Sequence, residues 1–222
     1  MKPSRRGSQL TVGRSIPIIV AGLAGLVGYY GPWVPHQAAG LVVIGLDLAE
    51  YVKFLPKVAP GPGAIAREIF YLPLVTISMG AALLASRRSL PGWLRWGLAV
   101  ASVPAALAML PPAWSPAVLR LPEFRLQMMA MGACLLAVPL ASLTRYLPNR
   151  LVLTLMVTLA LAAAIGPAWG FSQALPTIGG LYGHTLHPGW GFWLSMTGFL
   201  GVAFFACAEI LRSSDGSRPA DS

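Results

Sequence analysis

The chain has 222 residues, of which 56% are hydrophobic and only 10% charged, and its mean hydropathy is +0.68. A water-soluble domain carries about 25% charged residues; so few charges leave a globule of this size uncovered, and lipid is the solvent the composition fits. The net charge of +9 does not indicate nucleic acid, because the basic residues form short clusters between apolar runs instead of one basic face or tail.

The expected fold class is therefore an all-α integral membrane protein. It is read as a bundle of six transmembrane helices in three helical hairpins, plus one interfacial or re-entrant amphipathic helix near 40–55. The whole chain, 1–222, is taken as one polytopic domain, with 1–14 and 213–222 as disordered cytoplasmic tails.

In chain order, Ser4-Arg5-Arg6 resembles a twin-arginine export signal. The apolar run that follows is longer than the roughly 7–15 residues of a signal h-region, however, and no convincing cleavage site closes it. The first expected span is Ile16–Val34. Its Ala21-xxx-Gly25 and Ala24-xxx-Gly28 pairs are helix-packing positions, where small residues let two helix backbones approach.

Gly40–Leu55 is nearly apolar enough to span, but Asp47, Glu50 and Lys53 recur at i, i+3, i+6. That narrow polar stripe suits a helix lying in the outer interface. Two prolines and two glycines in Ala59–Gly63 then turn the chain. The remaining spans are expected at Ile69–Ser86, Trp93–Leu110, Leu126–Leu143, Leu151–Trp169 and Trp190–Leu211. Each is long enough for a hydrocarbon core of about 30 Å at roughly 1.5 Å per residue.

The odd-numbered spans end near Gly31-Pro32-Trp33, Pro112-Ala113-Trp114 and Pro167-Ala168-Trp169. Each motif supplies a helix stop and a tryptophan suited to headgroup depth. With the N-terminus inside, 11 of the 16 basic residues fall on the cytoplasmic side, among them Arg87, Arg88, Arg95, Arg145, Arg150 and Arg212. This bias orients both ends to the cytoplasm, in the inner (plasma) membrane. A seventh crossing at 40–55 would weaken it.

No charged residue falls in the middle of an expected span, which disfavours a proton or ion pathway. Cys134 and Cys207 lie in apolar runs as small packing residues. His36, His184 and His187 all fall in outer loops, and a pair three apart outside a helix is too weak a pattern for a metal site. No cofactor is expected.

The residues singled out for ligand binding are Asp47, Glu50, Arg67, Glu68, His184, His187 and Trp190. They bring both signs of charge and an aromatic ring to one side of the membrane, where a partly desolvated pocket can hold a polar solute. The expected function is a transport-associated membrane subunit that captures a small solute and works with partner subunits in the bilayer. The alternatives are a non-catalytic structural or assembly subunit of a larger membrane complex and, third, a membrane enzyme with an extracytoplasmic metal site.

Overall fold

A computed structural model describes residues 12–36, 42–55, 65–111, 115, 117–144 and 146–215. The expectations for the twin-arginine motif, the Ala59–Gly63 turn and Pro112-Ala113-Trp114 lie outside the described residues.

The structure is mostly helical. The principal helices are α1 (Val12–Tyr30), α3 (Leu72–Ala85), α4 (Gly92–Leu107), α5 (Arg125–Thr144), α6 (Asn149–Tyr182) and α7 (Trp190–Asp215). Residues Arg67–Tyr71 form a 3-10 turn leading into α3. Among the described residues, five helical stretches are long and apolar enough to cross a membrane: Gly13–Tyr30, Arg67–Ala85, Pro122–Ala141, Asn149–Tyr182 and Trp190–Ser213. At 16 residues, α4 is shorter than these.

The helices pack in the order α1, α7, α6, α3, with α4 and α5 against α3. Glycine sets the α1–α7 seam. A Cβ on Gly28 would fall inside the Ser195 backbone and 2.8 Å from the Gly191 carbonyl oxygen. Gly198 has the same relation to the Gly25 and Ala21 backbone, and Gly25 lies against the Phe199 ring. Contact positions fall along α1 as they rise along α7, so the two helices run antiparallel with their backbones in contact. Ala24 borders the outer edge of this seam, beside Gly201 and Thr197. On the far side of α1, Ile16, Val20, Leu23 and Val27 are exposed at helical spacing, the stripe a lipid-facing helix presents.

Several boundaries differ from the sequence expectation. α1 starts at Val12 and α7 continues to Asp215, so 12–14 and 213–215 are helical, while the rest of the two expected tails lies outside the described residues. The first helix stops at Tyr30, and Pro32–Val34 is instead a short strand, β1, paired antiparallel with β2 (Val43–Ile44). The helix expected over 40–55 is reduced to α2 (Gly45–Tyr51) and a 3-10 turn, Val52–Phe54. Seven α-helical residues rise only about 10 Å, well short of a hydrocarbon core of about 30 Å.

The largest difference is α6, whose 34 residues continue straight through Pro167 and Pro176. That is about 51 Å of helix against a hydrocarbon core of about 30 Å. Packing keeps the helix intact where Pro167 was expected to end it: Gly166 and Gly170 admit Leu72, Ile69 and Phe70 so closely that a Cβ on Gly170 would strike Ile69 and Phe70. The helix ends at Gly183, whose φ of 73° is the left-handed conformation glycine adopts without steric cost.

Candidate functional site

The long α6, the β1–β2 ribbon, α2, the 67–71 turn and the 183–189 loop close one end of the bundle as a cap. Its floor is aromatic. Trp33 is fully buried, donates its indole N–H to the Gly28 carbonyl at 3.1 Å, and meets Phe171 and Phe192 with ring centroids 5.4 and 5.3 Å away. A tryptophan expected at headgroup depth is thus enclosed by the ribbon instead, because Gly189 N–H bonds to Trp33 O at 2.8 Å and draws the 183–189 loop over it.

Above this floor sits Arg67, only 7% exposed. Its Nη2 donates to the Glu123 carbonyl at 2.6 Å and to Gln127 Oε1 at 3.0 Å. Nη1 lies 3.5 Å from Glu50 Oε1 and Nε 3.4 Å from Glu68 Oε1. The guanidinium also covers the Phe124 ring, 4.6 Å from its centroid, in cation–π geometry. Glu50 accepts from Tyr71 Oη at 3.2 Å and pairs with Lys53. Gln127, 1% exposed, in turn donates to the Met109 carbonyl. One buried cation therefore ties together α2, the start of α3, the segment after α4 and the start of α5.

The other singled-out residues are placed around this hub. Asp47 accepts from the Ile44 backbone N–H at 3.3 Å, holding the first turn of α2. Glu68 and Glu50 keep about a third of their side chains exposed, 31% and 30%. His184 is exposed, with Nδ1 2.9 Å from the Tyr182 carbonyl, and His187 is also exposed. Trp190 is 57% exposed and packs its ring edge on Gly31, 2.7 Å from where a Cβ would stand. So Glu50, Arg67 and Glu68 are brought together, whereas His184 and His187 lie in the 183–189 loop and Trp190 opens α7. The side chains of Tyr182 and Tyr51 neighbour one another and link the two regions. Among the described residues no three His, Cys, Asp or Glu side chains group as metal ligands.

Sequence reasoning passed over Gln127 and Phe124. The signal available was an amide within an expected apolar span, two residues after Arg125 and four after Glu123; a polar side chain there needs an internal partner.

The opposite end of the bundle is rich in arginine. Glu209 is buried there between Arg14 at 3.5 Å and Arg212 at 3.0 Å. Arg95 donates Nε to the Ala85 carbonyl at 2.9 Å, and Arg87 donates to Asn149 Oδ1 at 2.7 Å. Comparison of the chain with known families, curated proteins and solved structures finds no match.

Proposed function

We propose that the chain is a multi-pass membrane subunit associated with transport, which meets a small polar solute at its cap and acts with partner proteins. The observation carrying this reading is the Glu50–Arg67–Glu68 cluster. A buried cation holds two carboxylates that remain one-third open at the rim of an apolar bundle. Carboxylates fixed in this way can form charge-assisted hydrogen bonds without first being ordered.

The cap faces outward and both termini inward in this reading, with six crossings of the plasma membrane. Although short, α4 supports the sixth: its first turns meet Ala85 at the arginine-rich end, and Met109, just beyond it, meets Gln127 at the cap.

A second reading, a structural or assembly subunit, is favoured by the complete engagement of Arg67, since such a hub also serves merely to pin the cap. Glu68 separates the two, because among the described residues its one ion pair is the long one to Arg67. Small molecules released on denaturing protein purified from its native membranes are compared by mass spectrometry for wild type and Glu68→Ala. A species retained by wild type and lost from a normally melting variant supports capture; identical profiles favour the structural reading.

A further inference from the structure

The arginine-rich end holds a feature the cap function does not use. Five ion pairs are formed among the described residues, and Arg87, Arg88 and Arg95 enter none of them. The sequence explains why: between Glu68 and Glu209 the one acidic residue is Glu123, which lies at the cap. No carboxylate is thus supplied to these arginines by the helices they terminate.

Two of the three border a cavity of about 360 Å³ where the end of α3, the start of α4 and the end of α5 meet, lined by Ser86, Arg88, Arg95, Trp96 and Val138 among others. Arg95 spends its Nε on the Ala85 carbonyl, which fixes the fork, and among the described residues its two terminal nitrogens have no acceptor. Arg88, which is exposed, also lines the opening. The Ser86 hydroxyl is already used, bonded to Leu83 O at 2.7 Å and to the Thr144 hydroxyl at 2.8 Å, and so shapes the wall without offering a donor. Trp96 is 75% exposed beside the opening, the position of a ring at headgroup level. Arg87, next to Arg88 in the chain, is buried, and its Nε and Nη2 have no hydrogen-bond partner among the described residues.

We propose that this cavity binds the phosphate group of an anionic ligand, clamped between Arg88 and Arg95 with Trp96 as its lipid-side wall. A guanidinium fork matches two phosphate oxygens at once, and basic pockets between helices at the membrane surface are suited to anionic headgroups. Two sources share this chemistry: a phospholipid of the adjoining leaflet and free phosphate.

Full-length protein in nanodiscs of phosphatidylcholine containing phosphatidylglycerol is analysed by native mass spectrometry for retained lipid. In parallel, the protein in neutral detergent is melted with and without phosphatidylglycerol, or with and without inorganic phosphate. The variants are Arg88→Gln/Arg95→Gln and, as a control at the cap, Arg120→Gln. Wild type and the control are expected to retain phosphatidylglycerol over phosphatidylcholine and to melt higher in its presence, with retention falling roughly tenfold or more in the double variant. A rise in melting with inorganic phosphate alone, lost in the double variant, supports the site with a soluble source. Equal lipid retention in wild type and the double variant, together with no probe-induced rise in melting that the double variant loses, overturns the proposal, as does the absence of any rise in wild-type melting with either probe; the wild-type arm decides even if the double variant fails to fold.

Discussion

Arg67 is where the structure makes its sharpest energetic claim. Replacing it with methionine keeps most of the side-chain length but removes the guanidinium from the Glu123 carbonyl, Gln127, Glu50, Glu68 and the Phe124 face at once. Because Gln127 is buried and Glu50 mostly so, both are left in a site with little water to replace the lost donor. Breaking a buried ionic network from one side costs about 3–5 kcal/mol. Arg67→Lys keeps the charge, yet one ammonium cannot stand at once where Nη2 meets Glu123 O and Gln127, Nη1 meets Glu50 and Nε meets Glu68, so at least one charge-assisted hydrogen bond of about 1.5–3 kcal/mol is lost. Glu68→Gln disturbs a long, partly exposed pair and is expected to cost no more than about 1 kcal/mol. The assay is equilibrium unfolding of purified protein in mixed micelles, with the free energy extrapolated to zero denaturant. The expected order of stability is wild type, Glu68→Gln, Arg67→Lys, Arg67→Met. Arg67→Met within about 1 kcal/mol of wild type would refute the buried-hub reasoning.

Two further outcomes concern the α1–α7 seam. Gly28→Ala places a methyl group in the Ser195 backbone and is expected to destabilise by about 1–3 kcal/mol. Gly132→Ala, with open space around its Cβ, is expected to be neutral or slightly stabilising, as helix propensity favours alanine by up to about 1 kcal/mol; thermal melts of the two variants side by side check the contrast. Ser195 buries a hydroxyl that has no hydrogen-bond partner among the described residues, so Ser195→Ala is expected to stabilise by about 1 kcal/mol, and a lowered melting temperature counts against that placement.

Much of the membrane bundle was legible in the sequence because long apolar runs and clustered arginines report directly on the solvent. The helical stretches from Arg67, Pro122 and Trp190 fall close to where hydropathy placed them. What sequence could not supply was long-range packing. Pro167 is a stop signal judged locally, and it is overruled because Gly166 and Gly170 let α6 lie against Ile69, Phe70 and Leu72. Trp33 resembles an interface anchor until the β1–β2 pairing and the Gly189 bond enclose it. Within the cap, the i, i+3 relation of Glu50 to Lys53 was visible as a stripe, whereas Arg67 meeting Gln127, 60 residues away, depended on the tertiary fold. The arginine cavity was visible only as charge bias, since nothing local shows that Arg88 and Arg95 border one space.

The central claim is a bundle that crosses the membrane six times, with the cap on the outer side. Single cysteines at Ser89, Ala117, Thr185 and Ser213, in a background with Cys134 and Cys207 replaced by alanine, test it most directly. Intact cells or right-side-out vesicles are treated with a membrane-impermeant maleimide before and after permeabilisation. The account predicts that positions 117 and 185 react from outside, and that 89 and 213 react only once the membrane is opened. If 89 and 117 label from the same side, α4 does not cross and the six-span arrangement is contradicted; if 185 labels only from within, the cap faces the cytoplasm and the capture reading falls with it.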